Sequence, residues 1–292
     1  YFSIILAIIG ILEFIINKHF YVVYGVFGNL SSVNPFRSYS LVGSPVDFAF
    51  FLIIPIIYSF LFFTKKYLSL FFVITLLLTK SLSILSLIFI NIFFALRFKL
   101  LTLKSFLLIF IFGLLIVFNN TGLIDRVIKK QNTILDYKAS ESSRYDFYIQ
   151  SADVVSDNIF LGVGAGNFGG WASNPDNQVY EKYNFNFYQL KSIDLFYPHL
   201  MGEVGIFGLI SFLMIYLSII FKNLTYIRIY QKSENHYGFV LAGTVFLYGI
   251  SLLISGFWSM LLETNFATIP FFFIAAFSMC YYNSTIHKNE NL

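Results

Sequence analysis

One histidine and one glutamate at helical spacing are the residues of this chain whose types and positions most directly indicate chemistry. His199 and Glu203 lie four positions apart in HLMGE, so a helix places them on one face. A carboxylate beside an imidazole orients the ring, and an oriented imidazole can take up or donate a proton at a substrate hydroxyl. A histidine at a helix start also has purely structural roles, and the pair by itself leaves both interpretations open.

Three basic residues are candidates for binding an anion. Arg37 precedes a Gly-Ser-Pro turn, Arg144 opens a helix-like run, and Lys80 interrupts an apolar stretch. A guanidinium can hold a phosphate through two parallel hydrogen bonds, and an ionisable residue within a membrane segment indicates function by default. Simpler roles are open as well: Arg37 can pair with lipid headgroups, and Lys80 can extend to the membrane interface. Arg144 can pair with Asp146 or Glu141.

A glycine-rich segment, LGVGAGNFGGW, precedes the histidine. Residues 164–169 formally match the dinucleotide fingerprint G-x-G-x-x-G, but that fingerprint requires a strand before it and a helix after it in a βαβ unit. The surrounding sequence predicts neither, so a dinucleotide site is rejected. We expect these glycines to supply tight turns and close backbone approach, either as a structural corner or as a surface for a substrate chain. Gly202, Gly205 and Gly208 predict a smooth packing stripe beside His199.

The elements that must position these residues are membrane helices. Hydrophobic residues make up 58% of the chain and charged residues 12%, and the mean hydropathy is +0.75, whereas soluble domains carry about 25% charged residues. The apolar runs do not alternate as barrel strands do. We therefore predict an all-α, polytopic transmembrane helical bundle of about eight membrane helices. The segments lie near residues 1–16, 48–63, 67–79, 81–96, 105–118, 198–221, 237–256 and 266–282.

The distribution of basic residues predicts the topology. Of the twelve lysines and arginines outside the long segment 119–197, nine fall in one alternating set of connections and tail, which the positive-inside rule makes cytoplasmic. The chain is then divided into N-terminal membrane helices 1–118 with an outer loop 17–47, a large extracytoplasmic loop 119–197 containing short helices, and C-terminal membrane helices with a short cytoplasmic tail, 198–292. The scattered cations do not form the patch that nucleic-acid binding requires, so no nucleic-acid partner is expected.

Three smaller features complete the sequence-based expectations. The chain starts at Tyr1 and enters an apolar helix at once, so we expect an N-terminally truncated member of a longer protein. A single cysteine, Cys280, rules out an internal disulfide framework. Trp171 and Tyr197 are candidates for stacking against a sugar, although aromatic residues at the membrane interface are also common.

Taken together, these motifs resemble the O-antigen ligase and O-antigen polymerase superfamily. An arginine early in a large outer loop, a G-x-G turn, and then a histidine followed by E-x-G-x-x-G at the start of a membrane helix carry the resemblance. In this chain they are Arg144, Gly162 to Gly164, His199 and residues 203–208. The segments FRSYSLVGSP and LLLTKSLSIL resemble the preceding parts of the family more loosely, and Lys80 stands where the family more often has arginine.

The resemblance implies a membrane glycosyltransferase that uses a polyprenyl-diphosphate-linked glycan at the outer face of the bacterial cytoplasmic membrane. On this basis Arg37, Lys80 and Arg144 are assigned to the diphosphate, His199 to the acceptor hydroxyl as base or hydrogen-bond partner, and Glu203 to orienting His199. No cofactor and no metal are expected, since the chain lacks the D-x-D carboxylate pair of metal-dependent nucleotide-sugar enzymes. Expected partners are the lipid-linked oligosaccharide and the bilayer, with a chain-length regulator and a flippase as further candidates.

Several functions stay open at this point. A polymerase joins repeat units into O-antigen, capsule or exopolysaccharide, whereas a ligase transfers the finished glycan to the lipid A core. We favour the polymerase because FRSYSLVGSP looks more like that branch. A transporter or flippase of lipid-linked glycans is the alternative from another class, and such proteins usually show internal repeats and broken helices at the midplane. A purely structural assembly partner is the third possibility.

Overall fold

The computed structural model describes residues 1–16, 38, 40–42, 44–62, 66–79, 144–169, 178–183 and 195–290. Within these ranges the regular elements are helices, and no strand occurs. They are α1 (Phe2–Ile16), α2 (Pro45–Leu61), α3 (Lys66–Leu78), α4 (Arg144–Asp157), α5 (Gln178–Lys182), α6 (Phe196–Lys232), α7 (His236–Ser255), a 3₁₀ turn (Leu261–Glu263) and α8 (Asn265–Glu290).

The length and apolar character of the helices confirm the prediction that the chain is an integral membrane protein. Within the described ranges, three helices are long and apolar enough to cross a bilayer: α6, α7 and α8 over Asn265–Thr285. The helices α1, α2 and α3 are apolar but shorter. The predicted segments 81–96 and 105–118 lie outside the described residues, as does most of loop 17–47. The total of about eight membrane helices and the outward orientation of residues 119–197 stay predictions.

The described residues form two compact units. The first contains α1 to α3, the part of α6 from Ile219 onward, most of α7, and α8. In this unit α2 begins with Pro45 after Ser44, whose side chain accepts a hydrogen bond from the Asp47 amide at 3.4 Å. The buried Tyr248 packs near Phe50 and donates to the Ala267 carbonyl at 3.1 Å. Aromatic packing and satisfied polar groups thus hold the apolar helices together.

The second unit contains α4, α5, the start of α6 up to Ser218, and the segment Leu253–Glu263. Its core is formed by Val154 of α4, Phe168 of the glycine segment and Leu195 before α6, all fully buried. Val163, Val179 and Tyr183 pack against them. Because three separate stretches of chain meet at Phe168, the glycine segment is fixed against the start of α6.

The helix α6 is not regular throughout. Gly205 has φ 66° and ψ −169°, which is outside the helical region and produces a kink. The sequence pattern predicted regular helical spacing for Gly202, Gly205 and Gly208, and this expectation is wrong for Gly205. A positive φ is strained for any residue with a Cβ, so the glycine allows the kink. The kink separates the turn that carries His199 and Glu203 from the long apolar part of the helix.

Candidate functional site

The glycine segment is hydrogen-bonded to the backbone groups that the kink leaves free. The amides of Val163 and Gly164 each donate at 2.9 Å, to the carbonyls of Gly202 and Glu203 respectively. On the other side of the kink, the Ile206 amide donates to the Ile159 carbonyl at 2.8 Å. Polar backbone groups released inside an apolar helix must find such partners. We call residues 158–169 the glycine loop. The three hydrogen bonds fix this loop to α6.

Two glycines make this close approach possible. A Cβ on Gly162, which has φ 66°, would collide with the backbone of Glu203, and a Cβ on Gly205 would collide with the backbone of Phe160. Gly202 similarly leaves room for the ring of Phe168. The prediction of close backbone approach by the glycine segment is therefore confirmed.

His199 lies in the first turns of α6, beside the glycine loop. It is buried, with 7% of its surface exposed. Its Nδ1 is 2.5 Å from Glu263 Oε1, and its Nε2 is 3.1 Å from the Gly169 carbonyl oxygen. Nε2 is also 3.3 Å from Glu203 Oε1. The predicted pairing of His199 with Glu203 is thus present, and a second carboxylate, Glu263, makes the shorter contact.

The partners of the ring determine where protons must lie. The Gly169 carbonyl can only accept a hydrogen bond, so Nε2 of His199 carries a proton and donates. A proton must also lie between Nδ1 and the Glu263 carboxylate, because two lone pairs would repel at this distance. The cluster therefore holds two protons, and Nε2–H is a fixed donor. For His199 to act as a base at Nε2, that proton must first leave.

The carboxylate of Glu203 is held by the glycine loop. Its Oε1 accepts from the Gly166 amide at 2.7 Å and from the Phe168 amide at 3.5 Å. Gly164 and Gly166 have positive φ values of 98° and 78°, and the loop turns the Gly166 and Phe168 amides toward the same carboxylate oxygen. Such an arrangement of amides binds anions. In this structure the glycine-rich motif binds a carboxylate of its own chain.

The segment that carries Glu263 is fixed by two tyrosines. Tyr197 donates to the Leu253 carbonyl and Tyr148 to the Phe257 carbonyl, both at 2.6 Å. Gly256 leaves room for the Tyr197 ring. Since Tyr148 belongs to the first turns of α4, it attaches the start of that helix to the segment ending in Glu263. Tyr197, a candidate for sugar stacking, thus has a structural partner for its hydroxyl group.

Sequence-based reasoning missed Glu263. A signal was present, since Glu263 is the only charged residue between Glu234 and Lys288, in a short connection between two apolar segments. A lone carboxylate in that position indicates a specific partner.

The structure locates the other predicted site residues only in part. Arg144 is the first residue of α4, as the sequence indicated, and its side chain is outside what the structure describes. Arg37, Lys80 and Trp171 lie outside the described residues. Among those that are described, no three metal-ligating side chains are arranged to hold an ion. The assignment of Arg37, Lys80 and Arg144 to a diphosphate is therefore a prediction that the geometry leaves untested.

In the part of the chain that the structure describes, the regular elements are all helices of an integral membrane protein, and a buried histidine lies between two carboxylates at the start of a kinked membrane helix. A family model described as O-antigen ligase matches residues 67–213, half of the chain, and this range contains His199, Glu203 and the glycine loop. The chain belongs to the O-antigen ligase family, within the O-antigen polymerase and ligase superfamily. No curated protein matches it.

Proposed function

We propose that the protein is a membrane glycosyltransferase that polymerises polyprenyl-diphosphate-linked oligosaccharide repeat units into O-antigen, capsule or exopolysaccharide, at the outer face of the bacterial cytoplasmic membrane. The observation that carries this proposal is the hydrogen-bonded cluster of His199, Glu203 and Glu263 in a chain of this family. The cluster lies at the start of an apolar helix, and this position supports a site at which a lipid-linked substrate would meet the aqueous phase.

The proposed reaction is a displacement at the anomeric carbon of the lipid-linked sugar. The oxygen of an acceptor hydroxyl forms the new glycosidic bond, the bond between that carbon and the diphosphate breaks, and the diphosphate leaves on its polyprenyl chain. The hydroxyl proton must go to the protein or to the leaving group. Because the donor is already activated, the enzyme has to orient the hydroxyl, accept the proton and stabilise the departing anion.

His199 is suited to orienting the acceptor hydroxyl. Its Nε2–H now donates to the Gly169 carbonyl, and a substrate oxygen in place of that carbonyl would receive the same hydrogen bond. The carboxylate of Glu203, 3.3 Å from Nε2, is placed to take up the proton that Nε2 carries. Glu263 holds the opposite side of the ring. In this proposal His199 is the hydrogen-bond partner of the hydroxyl, and it becomes the base only after passing its Nε2 proton to Glu203.

We assign the departing diphosphate to basic residues, without a metal ion. Arg144 is the first candidate for binding the diphosphate because it lies one helical turn before Tyr148. The Tyr148 hydroxyl is hydrogen-bonded to the segment that ends in Glu263. Arg37 and Lys80 are the further candidates from the sequence. Two or three cations can neutralise the developing charge as Mg²⁺ does in other enzymes.

A ligase that transfers the finished glycan to the lipid A core is the second candidate, and the description of the matched family favours it. The chemistry at the donor is the same in both cases. The two differ in the acceptor, which is a growing glycan for the polymerase and a core oligosaccharide for the ligase. The surface glycans of the source bacterium therefore distinguish them.

The experiment is gel analysis of surface glycan in a deletion strain complemented with variants. Loss of the ladder with a single repeat unit retained indicates a polymerase, whereas unattached long chains indicate a ligase. The variants His199→Ala and Arg144→Ala should each abolish the product at unchanged membrane abundance. His236→Ala, which removes another histidine at the start of a helix, serves as the matched control. Full-length product from both site variants contradicts the proposal.

A further inference from the structure

The glycine loop carries an exposed apolar tip. Ile159, Phe160 and Leu161 follow the end of α4, and they are 45%, 63% and 76% exposed. No charged residue interrupts the run from Asn158 to Gly169. Three consecutive large apolar side chains exposed on a loop indicate a binding surface, because leaving them in water is unfavourable. We call residues 159–161 the apolar tip.

The apolar tip lies directly against the outer surface of α6. The Ile206 amide bonds to the Ile159 carbonyl at 2.8 Å, and the ring of Phe160 stacks on that of Phe207 with centroids 5.9 Å apart. Phe207 is 57% exposed and begins a stripe of exposed apolar side chains on α6. The stripe continues at helical spacing through Ile210, Met214 and Leu217. The tip and the stripe therefore form one continuous apolar surface.

The stripe belongs to a membrane-crossing helix. Only 17% of the most apolar part of α6 is buried inside the protein. The chain has no charged residue from Val204 to Phe221. The part after the kink, Ile206 to Phe221, is about 24 Å long as helix, close to the thickness of a hydrocarbon core of about 30 Å. Glu203 thus marks one edge of that core. Phe207 belongs to the uncharged part of α6 that follows the kink, on the hydrocarbon side of Glu203, and the tip packs beside it.

We propose that the apolar tip inserts among the acyl chains of the leaflet next to the His199 cluster. Acyl chains are the occupant that fits, because the tip continues the exposed apolar stripe of α6, a helix long and apolar enough to cross a bilayer. The same loop that enters the bilayer at Phe160 binds Glu203 through the Gly166 amide and His199 through the Gly169 carbonyl. Insertion would hold the cluster at the hydrocarbon boundary, at the depth where a lipid-linked diphosphate lies.

Spin-label accessibility tests this insertion without any substrate, so its outcome is independent of the proposed reaction. The only cysteine, Cys280, is replaced by serine, and nitroxide labels are attached at Leu161→Cys or, as a second position, Ile159→Cys. Met214→Cys on the exposed stripe is the lipid-facing reference, and Ala152→Cys on the exposed side of α4 is the matched comparison on the same unit. The protein is reconstituted in vesicles of phosphatidylethanolamine and phosphatidylglycerol.

The two relaxation agents are oxygen, which concentrates in lipid, and a water-soluble nickel chelate. We expect labels at residues 159 and 161 to collide more with oxygen than with nickel, as at residue 214. A label at residue 161 that is as accessible to nickel as an aqueous nitroxide overturns the proposal. A label that neither agent reaches also overturns it, since the tip would then be covered by protein.

Discussion

Nδ1 of His199 lies 2.5 Å from Oε1 of Glu263, so a carboxylate from the connection between α7 and α8 is hydrogen-bonded to the imidazole at the start of α6. On the other side of the ring, Nε2 meets the Gly169 carbonyl and Glu203. The ring is therefore held in one orientation by groups from three stretches of chain. This arrangement defines which nitrogen can face a substrate.

Replacing Glu263 should impair activity through the orientation of His199. Glu263→Gln removes the negative charge and weakens a charge-assisted hydrogen bond, which contributes about 1.5–3 kcal/mol, so a loss of about 10- to 100-fold in kcat is expected. A merely structural role would leave the ring nitrogens unchanged. The ¹⁵N chemical shifts of His199 should therefore change in Glu263→Gln, and Glu263→Asp should recover part of the activity. Unchanged shifts and full activity contradict a positioning role.

The kink at Gly205 should not tolerate a side chain. Gly205→Ala forces a residue with a Cβ into positive φ, at a cost of about 1–2 kcal/mol, and its Cβ would also displace the backbone of Phe160. We expect a lower unfolding temperature in detergent and loss of activity. The control is Gly243→Ala, where the new methyl group would meet only the flexible end of Leu61 in a helix interior. Equal thermal stability of the two variants would show that the kink is dispensable.

Phe168 should be the residue that fixes the glycine loop. It is fully buried between Val154 and Leu195, so Phe168→Ala should cost about 3–5 kcal/mol. Because the Phe168 and Gly166 amides hold Glu203, activity should fall as well. Phe273→Ala removes a ring that is 74% exposed on α8 and should change stability little. Thermal unfolding followed by near-ultraviolet circular dichroism compares them, and a similar loss in both would argue against this role.

The contact between Asp157 at the end of α4 and Tyr183, the residue after α5, should depend on pH. The hydroxyl of Tyr183 donates to Asp157 at 2.8 Å, and this hydrogen bond lowers the pKa of the Asp157 carboxyl below its ordinary 3.8. Because the pKa of Asp157 is lower in the folded state than in the unfolded state, its ionised carboxylate stabilises the contact at pH values above the unfolded-state pKa. This stabilisation is lost as the pH falls through the folded-state pKa of Asp157. A carboxyl ¹³C titration should show a pKa below 3.8 that returns upward in Tyr183→Phe. An unshifted titration would contradict the hydrogen bond.

The sequence predicted the parts of this site that depend on short-range spacing. His199 and Glu203 are four residues apart and contact one another because a helical turn brings such residues together. The start of a helix at Arg144 and the apolar helices followed from equally local patterns. The contact with Glu263 could not be predicted, because it depends on how the 253–263 segment is held by Tyr148 and Tyr197.

The kink at Gly205 shows a different limit of the sequence. Glycines at intervals of three are typical of a regular helix that packs closely, and the same residues permit a break with positive φ. Only the hydrogen bonds from Val163 and Gly164 to the carbonyls of Gly202 and Glu203 decide between the two. Those bonds require the glycine loop to lie against α6, and this is a tertiary relationship.

The proposed reaction itself is tested by glycan transfer with purified protein in lipid vesicles, with a polyprenyl-diphosphate-linked repeat unit as the sole donor and no added metal. The wild-type protein should release polyprenyl diphosphate and form longer lipid-linked glycans, whereas His199→Ala should lower the rate by about 10²- to 10⁴-fold while the protein stays folded. Transfer by His199→Ala at the wild-type rate, with the same products, would contradict a catalytic role of His199 in glycan transfer.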